Sequence, residues 1–373
     1  MQENSDKKPD RFQTRHSSKI FAGVIALIVF LILRNFPELS DLLYRRFIFQ
    51  TFRFFWDHTI GLLPFPLVYL FIIWLVWKIF STLKKKETKK EFLLLSFVFL
   101  SRAFSLFMWM WGFNYACTNF KQNDFTAAIS EMELYHFGEH IAETISLYDD
   151  VALKPSLNQN GYSSDITEAV ENYLQTNGWL TYGEVKCVEI GGDGLLRRLG
   201  ASGIYLPYTG QGHCDATYPD HVKLMIKAHE TAHGYGITNE GEADYVAFMS
   251  LWKYDNRNEV DSMIIREFKY SAMLSLLRTI RTELNRMNDS LRIELDKKTS
   301  WNIRKEMMAI RINSLAYPSL FPELSTGLND AYLKTMGVRE GVKSYDEFLA
   351  RVYQDFRDSS VLFEEVKPIV IIK

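Results

Sequence analysis

Residues 227–245 read KAHETAHGYGITNEGEADY, and within them His229-Glu230-Thr231-Ala232-His233 forms an H-E-x-x-H motif. Residues four apart on a helix share a face, so two imidazoles at this spacing can meet one metal ion. Glu230 stands beside the first imidazole, where a carboxylate serves as general base toward water and then as proton donor. The flanks suit a helix. Neither proline nor glycine interrupts the chain between Pro219 and His233, and Val222, Met225 and Ile226 supply an apolar face. Asp220 is a candidate cap, and Gly234 and Gly236 stop the helix and let the chain turn.

A catalytic zinc site needs a third protein ligand and keeps one position open. Two acids downstream qualify. Glu242 follows His233 after eight residues and opens a second helical stretch over residues 240–252. A helix-turn-helix can return its carboxylate to the metal, and Glu242 is the preferred third ligand. Glu240 is the alternative, forming an E-x-x-x-D pair with Asp244. Asp244 is expected to orient a ligating histidine in either case, because such histidines donate their other N–H to an acceptor.

Upstream, residues 203–209 read GIYLPYT, an apolar, aromatic run bounded by glycines, as expected of a strand. Pro207 cannot donate to a ladder, which puts this strand at a sheet edge. An extended peptide can add to such an edge, which favours a peptide substrate. Residues 185–190 suggest another short strand. Apolar periodicity predicts helices over residues 124–150, 165–176 (with Ser164 as cap), 259–286 and 289–312. The fold class expected from this pattern is mainly α: a mostly helical α+β domain with a small edge-stranded sheet, preceded by transmembrane helices.

The N-terminal third differs in kind. Residues 20–33, 60–80 and 92–113 are apolar runs, and each is read as a transmembrane helix because backbone groups in lipid must bond internally. This divides the chain into a membrane region, residues 1–115, and a metallopeptidase-like domain, residues 116–373. The aromatic and basic stretch 44–56 (YRRFIFQTFRFFW) suits a helix lying in the membrane interface. Basic residues before the first run and in KKKETKK, 84–90, belong on the cytoplasmic side, which puts everything after residue 115 on the exported side of a bacterial cytoplasmic membrane. Arg34, Arg45, Arg46 and Arg53 oppose that assignment.

The formal net charge of −2 gives no sign of a nucleic-acid partner. Cys117, Cys187 and Cys214 form no C-x-x-C pair, so nothing points to a cysteine zinc site, and a disulfide framework is excluded; isolated packing residues are expected, with one bridge still allowed. No feature signals an oligomeric state. The oxyanion partner is open among Tyr205, Tyr208, Tyr235, Tyr332, Arg339 and Tyr345.

HETAH with EADY at 242–245 resembles the zincin metallopeptidases, the gluzincin branch in particular. WGFNY at 111–115, GIYLPYTG at 203–210, HETAH, EADY and YLKTMGVREGVKSY at 332–345 together resemble an uncharacterised bacterial family of membrane proteins with three N-terminal spans and an H-E-x-x-H domain. The chain departs from that pattern at Gln211, where an acid is usual, and at Asp244, where asparagine is usual. The resemblance implies a zinc metallopeptidase anchored in the membrane, with a peptide or protein substrate near the bilayer. A zinc amidase acting on cell-envelope peptides and a non-catalytic zinc-binding sensor or scaffold are the alternatives.

Overall fold

The computed structural model describes residues 11–63, 65–84, 89–120, 129–154, 162–255, 262–336, 338 and 347–358. They form two compact units. The first comprises Met1–Thr118 together with the short segment Leu206–Gly210; the second comprises Asn119–Tyr205 and Gln211–Lys373.

In the first unit, α1 (Arg11–Leu33) packs along α5 (Lys89–Met110). The approach is close: the Gly23 amide donates to Ser101 Oγ at 3.2 Å, and a Cβ at Gly23 would collide with that hydroxyl. Small residues allow such approach between apolar helices, where dispersion and hydrogen bonds hold the pair. The three-span expectation is met only in part. Among the described residues, Lys90–Met110 is the one helix long and apolar enough to cross a membrane, while the apolar stretches Phe21–Leu33 and Val68–Ser81 are shorter. The run at 60–80 is not one helix. Ile60–Leu62 is a single 3-10 turn, and α4 (Val68–Lys84) begins only after the prolines of LLPFPL, which lack the N–H a helix interior requires. Its 17 residues reach about 26 Å, short of a hydrocarbon core about 30 Å thick.

The stretch at 44–56 is helical, within α2 (Pro37–Ser40), a π-helical segment Asp41–Phe49 and α3 (Gln50–His58). One face is buried through Tyr44, Arg45, Phe49 and Arg53, while Phe47, Phe54 and Phe55 are exposed. Tyr44 donates to the Trp109 carbonyl at 3.1 Å, and Arg45 donates to the Thr118 carbonyl at 2.8 Å. Arg53 donates to the Gly210 carbonyl at 2.9 Å and to Asp57 at 2.7 Å, and Trp56 Nε1 donates to the Pro207 carbonyl at 2.9 Å. Tyr208 donates to the Ala103 carbonyl and stacks on Phe71. These bonds are why Leu206–Gly210 belongs with the N-terminal helices.

The second unit is mostly helical around a small sheet. Its helices are α6 (Glu131–Ser146), α7 (Ser163–Thr176), α8 (Leu195–Arg198), α9 (Asp220–Gly234), α10 (Glu240–Trp252), α11 (Ser262–Met287), α12 (Asp289–Lys298), α13 (Trp301–Ala316), α14 (Pro322–Met336) and α15 (Glu347–Asp358). The core lies among α6, α7, α9, α10 and α11, with Phe137, Val170, Ala228, Val246 and Leu277 inside. α10 is buried on nearly all sides, as an apolar helix at the centre of a bundle must be. Three helix starts differ from expectation. α7 begins behind Tyr162 in a left-handed conformation instead of at a Ser164 cap. α9 follows Pro219, with no side-chain cap from Asp220. The stretch 289–312 breaks at Thr299, where Ser300 accepts from the Ile303 amide and starts α13.

The sheet has strands β1 (Cys187–Ile190), β2 (Gly203–Leu206) and β3 (Gln211–Asp215) in the order β1-β3-β2, with β1 and β3 parallel. β2 is an edge strand and ends before Pro207. Residues 207–210 form the turn into β3, with the Thr209 and Gly210 amides both donating to the Leu206 carbonyl.

Candidate metal centre

The H-E-x-x-H motif occupies the last turns of α9. The helix ends at Gly234, where a Cβ would collide with Val185, and Gly236 at φ 89° turns the chain toward α10. At the start of α10 the Asn239 side chain accepts from the Glu242 amide at 2.8 Å, fixing the rotational register of the first turn. That register decides which acid faces the two histidines. Glu240 Oε2 lies 3.2 Å from His229 Nε2 and 3.3 Å from His233 Nε2, and the two Nε2 atoms are 2.9 Å apart.

Glu242 is not at the site, contrary to the expectation. Two residues along a helix turn the side chain by roughly 200°, so Glu240 and Glu242 project in opposite directions. Glu242 is 1% exposed, accepts from the Phe120 amide at 3.1 Å and pairs with Arg351 at 3.4 Å. It joins α10 to α15 and to the start of the unit.

The outer partners of the histidines fix their tautomers. His229 Nδ1 donates to Asp244 Oδ1 at 2.7 Å, the orienting role expected of Asp244, and His233 Nδ1 donates to the Ile237 carbonyl at 2.7 Å. With both Nδ1 atoms protonated, both Nε2 atoms are bare in the neutral rings. Two lone pairs and a carboxylate oxygen therefore converge on one point. A cation relieves that arrangement, and without one a proton shared between the rings and Glu240 does. Tetrahedral zinc with ligands at 2.0–2.2 Å sets its ligand atoms ~3.3 Å apart, which the Glu240 distances match and the ring pair reaches by opening a few tenths of an ångström. His229, His233 and Glu240 are the one such group of three among the described residues, and a three-ligand set leaves a coordination position open.

Without a cation the same groups compete for protons. Burial disfavours charged His229, but the Asp244 charge and the bonds to Asp244 and Glu240 raise it well above its ordinary value. Burial likewise opposes the charge on His233, and Glu240 raises it. Burial works against Glu240 ionisation, and the two rings hold that carboxyl far below the usual range.

Glu230 is buried, and burial pushes its carboxyl up to about 7 against the pull of the two histidines. Two glycines make room for it. A Cβ at Gly203 on β2 would collide with Glu230 Oε1, and one at Gly212 on β3 would lie 2.8 Å from Glu230 Cβ. Both were missed as site residues in the sequence, as was β3 itself. The edge strand thus begins against the carboxylate proposed as base.

The oxyanion candidates separate. Tyr208 is engaged with Ala103, and Tyr235 donates to the Gly183 carbonyl at 3.1 Å. Arg339 and Tyr345 lie outside the described residues. Tyr332 is exposed on α14, and the Tyr205 ring lies beside Gly234 at the end of α9. The three cysteines are buried and unbridged.

No curated protein and no solved structure matches this chain. One family profile does, over residues 44–353, and its members are described as proteins of unknown function. Matched from the helical run before α4 through to α15, the chain belongs to the family DUF3810.

Proposed function

We propose that the protein is a membrane-anchored, zinc-dependent metallopeptidase of gluzincin type. The observation that carries the reading is the convergence of three bare ligand atoms, from His229, His233 and Glu240, beside the buried carboxyl of Glu230. Zinc held there would supply Lewis-acid chemistry, acidifying water and polarising a carbonyl. Asp244 and the Ile237 carbonyl keep the histidine rings aimed inward. Glu230, with a carboxyl near neutrality, takes a proton from the attacking water and returns it to the leaving amine. β2 favours an extended substrate, since a peptide added to this edge would run past Glu230.

The apolar helix Lys90–Met110 supports anchoring, as do the exposed apolar side chains of α1 and α4, such as Ile28, Leu31, Ile73 and Trp77. Of the arginines that oppose an exported domain, Arg45 and Arg53 are buried inside the unit, paired with Asp41 and Asp57.

Elemental analysis of protein purified without chelator tests the proposal, with Glu240→Ala and Glu242→Ala alongside. The expected result is about one zinc per chain in the wild type and in Glu242→Ala, and none in Glu240→Ala. Glu230→Gln should keep the metal and lose peptide hydrolysis. A wild type without stoichiometric metal overturns the reading.

A further inference from the structure

We propose that the outward face of α13 and α14 is a lipid-contacting surface that seats on an anionic bilayer. Each helix has two apolar faces. Ile303, Met307 and Ile310 of α13 and Leu333 and Met336 of α14 are buried. On the other side, Met308, Ile312 and Leu315 recur at threes and fours along α13 and are exposed, Leu315 at 73%. Phe321, just before α14, and Leu324 and Leu328 on it repeat the pattern, with Leu328 62% exposed. Leu320, in the connection between the helices, is exposed too, and its amide donates to the Arg198 carbonyl at 2.8 Å. Leu195 and Leu199 on α8 extend the apolar surface. A water-facing helix carries mainly polar residues opposite its core stripe; on these two an apolar stripe runs among them.

Charge identifies the occupant. Lys305 and Arg311 are exposed on α13, and Arg304 lies over the exposed Trp301 ring at 5.6 Å. The only acid on α13, Glu306, turns inward to His221 and Tyr270. On α14, Asp330 is paired with Lys334, leaving Glu323 as the remaining acid of that helix. Trp301 and Tyr332 stand toward the ends of the stripe in sequence, where amphipathic rings suit a headgroup boundary. An apolar stripe with a cationic flank complements acyl chains beneath anionic headgroups. A second copy docked by a two-fold axis would bring like cations together.

This surface rests on the reading of the chain as membrane-anchored and adds a second point of attachment on the helical unit. The test uses the full chain in vesicles of phosphatidylcholine and phosphatidylglycerol. Single cysteines at 324, 328 and, as a polar control, 286 carry an environment-sensitive fluorophore; the native cysteines are buried. Lipids bearing nitroxides on the acyl chain should quench positions 324 and 328 roughly twofold or more and leave 286 unchanged, with less quenching when phosphatidylglycerol is omitted. Equal signals at all three positions overturn the proposal. So does cross-linking between copies through position 324, which assigns the face to a dimer. Alkaline extraction of the same vesicles reads anchoring by the N-terminal helices separately, so loss of anchoring is distinguished from failure of this surface.

Discussion

α9 carries two buried histidine–carboxylate clusters, one at each end, and they differ in a single respect. At its start, His221 Nδ1 meets Glu306 Oε1 at 2.7 Å, while Tyr270 and the Leu153 amide donate to Oε2 at 2.7 and 2.8 Å. The Glu306 carboxylate there meets three donors and ties α9, α11 and α13 to residues 151–154, while His221 Nε2 has no hydrogen-bond partner among the described residues. At its end, His229, His233 and Glu240 direct lone pairs at one another, and the donors all point outward to Asp244 and Ile237. A buried histidine beside a carboxylate therefore does not by itself mark a candidate metal site. Acceptors converging from neutral rings favour a cation or a shared proton, which a carboxylate already met by donors does not need.

The two clusters should part most widely in metal binding. His233→Ala removes one of the three proposed ligands and should lower zinc affinity more than about a hundredfold, read by competition with a chromogenic chelator. His221→Ala on the same helix should leave zinc stoichiometry unchanged. If both variants lost zinc equally, the distinction between the clusters would be wrong.

Next in size is Glu242→Ala. It leaves Arg351 paired with Glu347 but not with Glu242, and the Phe120 amide without its acceptor, and should cost about 1–3 kcal/mol in stability, measured by thermal unfolding of the metal-loaded protein, while stoichiometric zinc remains. Asp244→Asn keeps the size of the side chain but weakens its acceptor, and zinc affinity should fall about 10–100-fold.

The smallest effect sharpens the other cluster. Burial opposes ionisation of Glu306, but its bonds to His221, Tyr270 and Leu153 hold its carboxyl below 4.5. A depressed carboxylate contributes stability that is present above the unfolded value and lost as pH falls through the folded one. Glu306→Gln should therefore cost ~1–3 kcal/mol near neutrality and flatten the acid limb of the stability curve below about pH 4.5. A variant whose acid limb matches the wild type would show that Glu306 does not carry that dependence.

The helix of the H-E-x-x-H motif and the helical stretch after it were legible in the sequence, because helical spacing and the closing glycines are local signals. The choice between Glu240 and Glu242 was not. It depends on how far residues 235–239 rotate α10 before it starts, and the Asn239 cap that fixes this is equally compatible with either acid in the abstract. β3 was hidden for a different reason. Its sequence, QGHCD, has no apolar alternation, since the strand is buried along its whole length and uses Asp215 to receive the α8 amides of Leu196 and Arg197. Gly203 and Gly212 gave no signal because their role is clearance for Glu230, a side chain distant from both in sequence. In the N-terminal third, hydropathy located the helices but not their lengths, and the prolines near residue 65 shortened α4.

The turn Leu206–Gly210 has a practical corollary for dissecting this protein. The polypeptide leaves the N-terminal unit at Thr118, returns at Leu206 and departs again at Gly210, so no single cut separates the two units. A fragment beginning at residue 119 would carry the Gly210 and Pro207 carbonyls without the guanidinium and indole donors of Arg53 and Trp56. Those acceptors sit at the tip of the hairpin whose first strand starts against Glu230. An inactive fragment from residue 119 onward would therefore test the proposed activity only once the hairpin tip were shown to keep its native form.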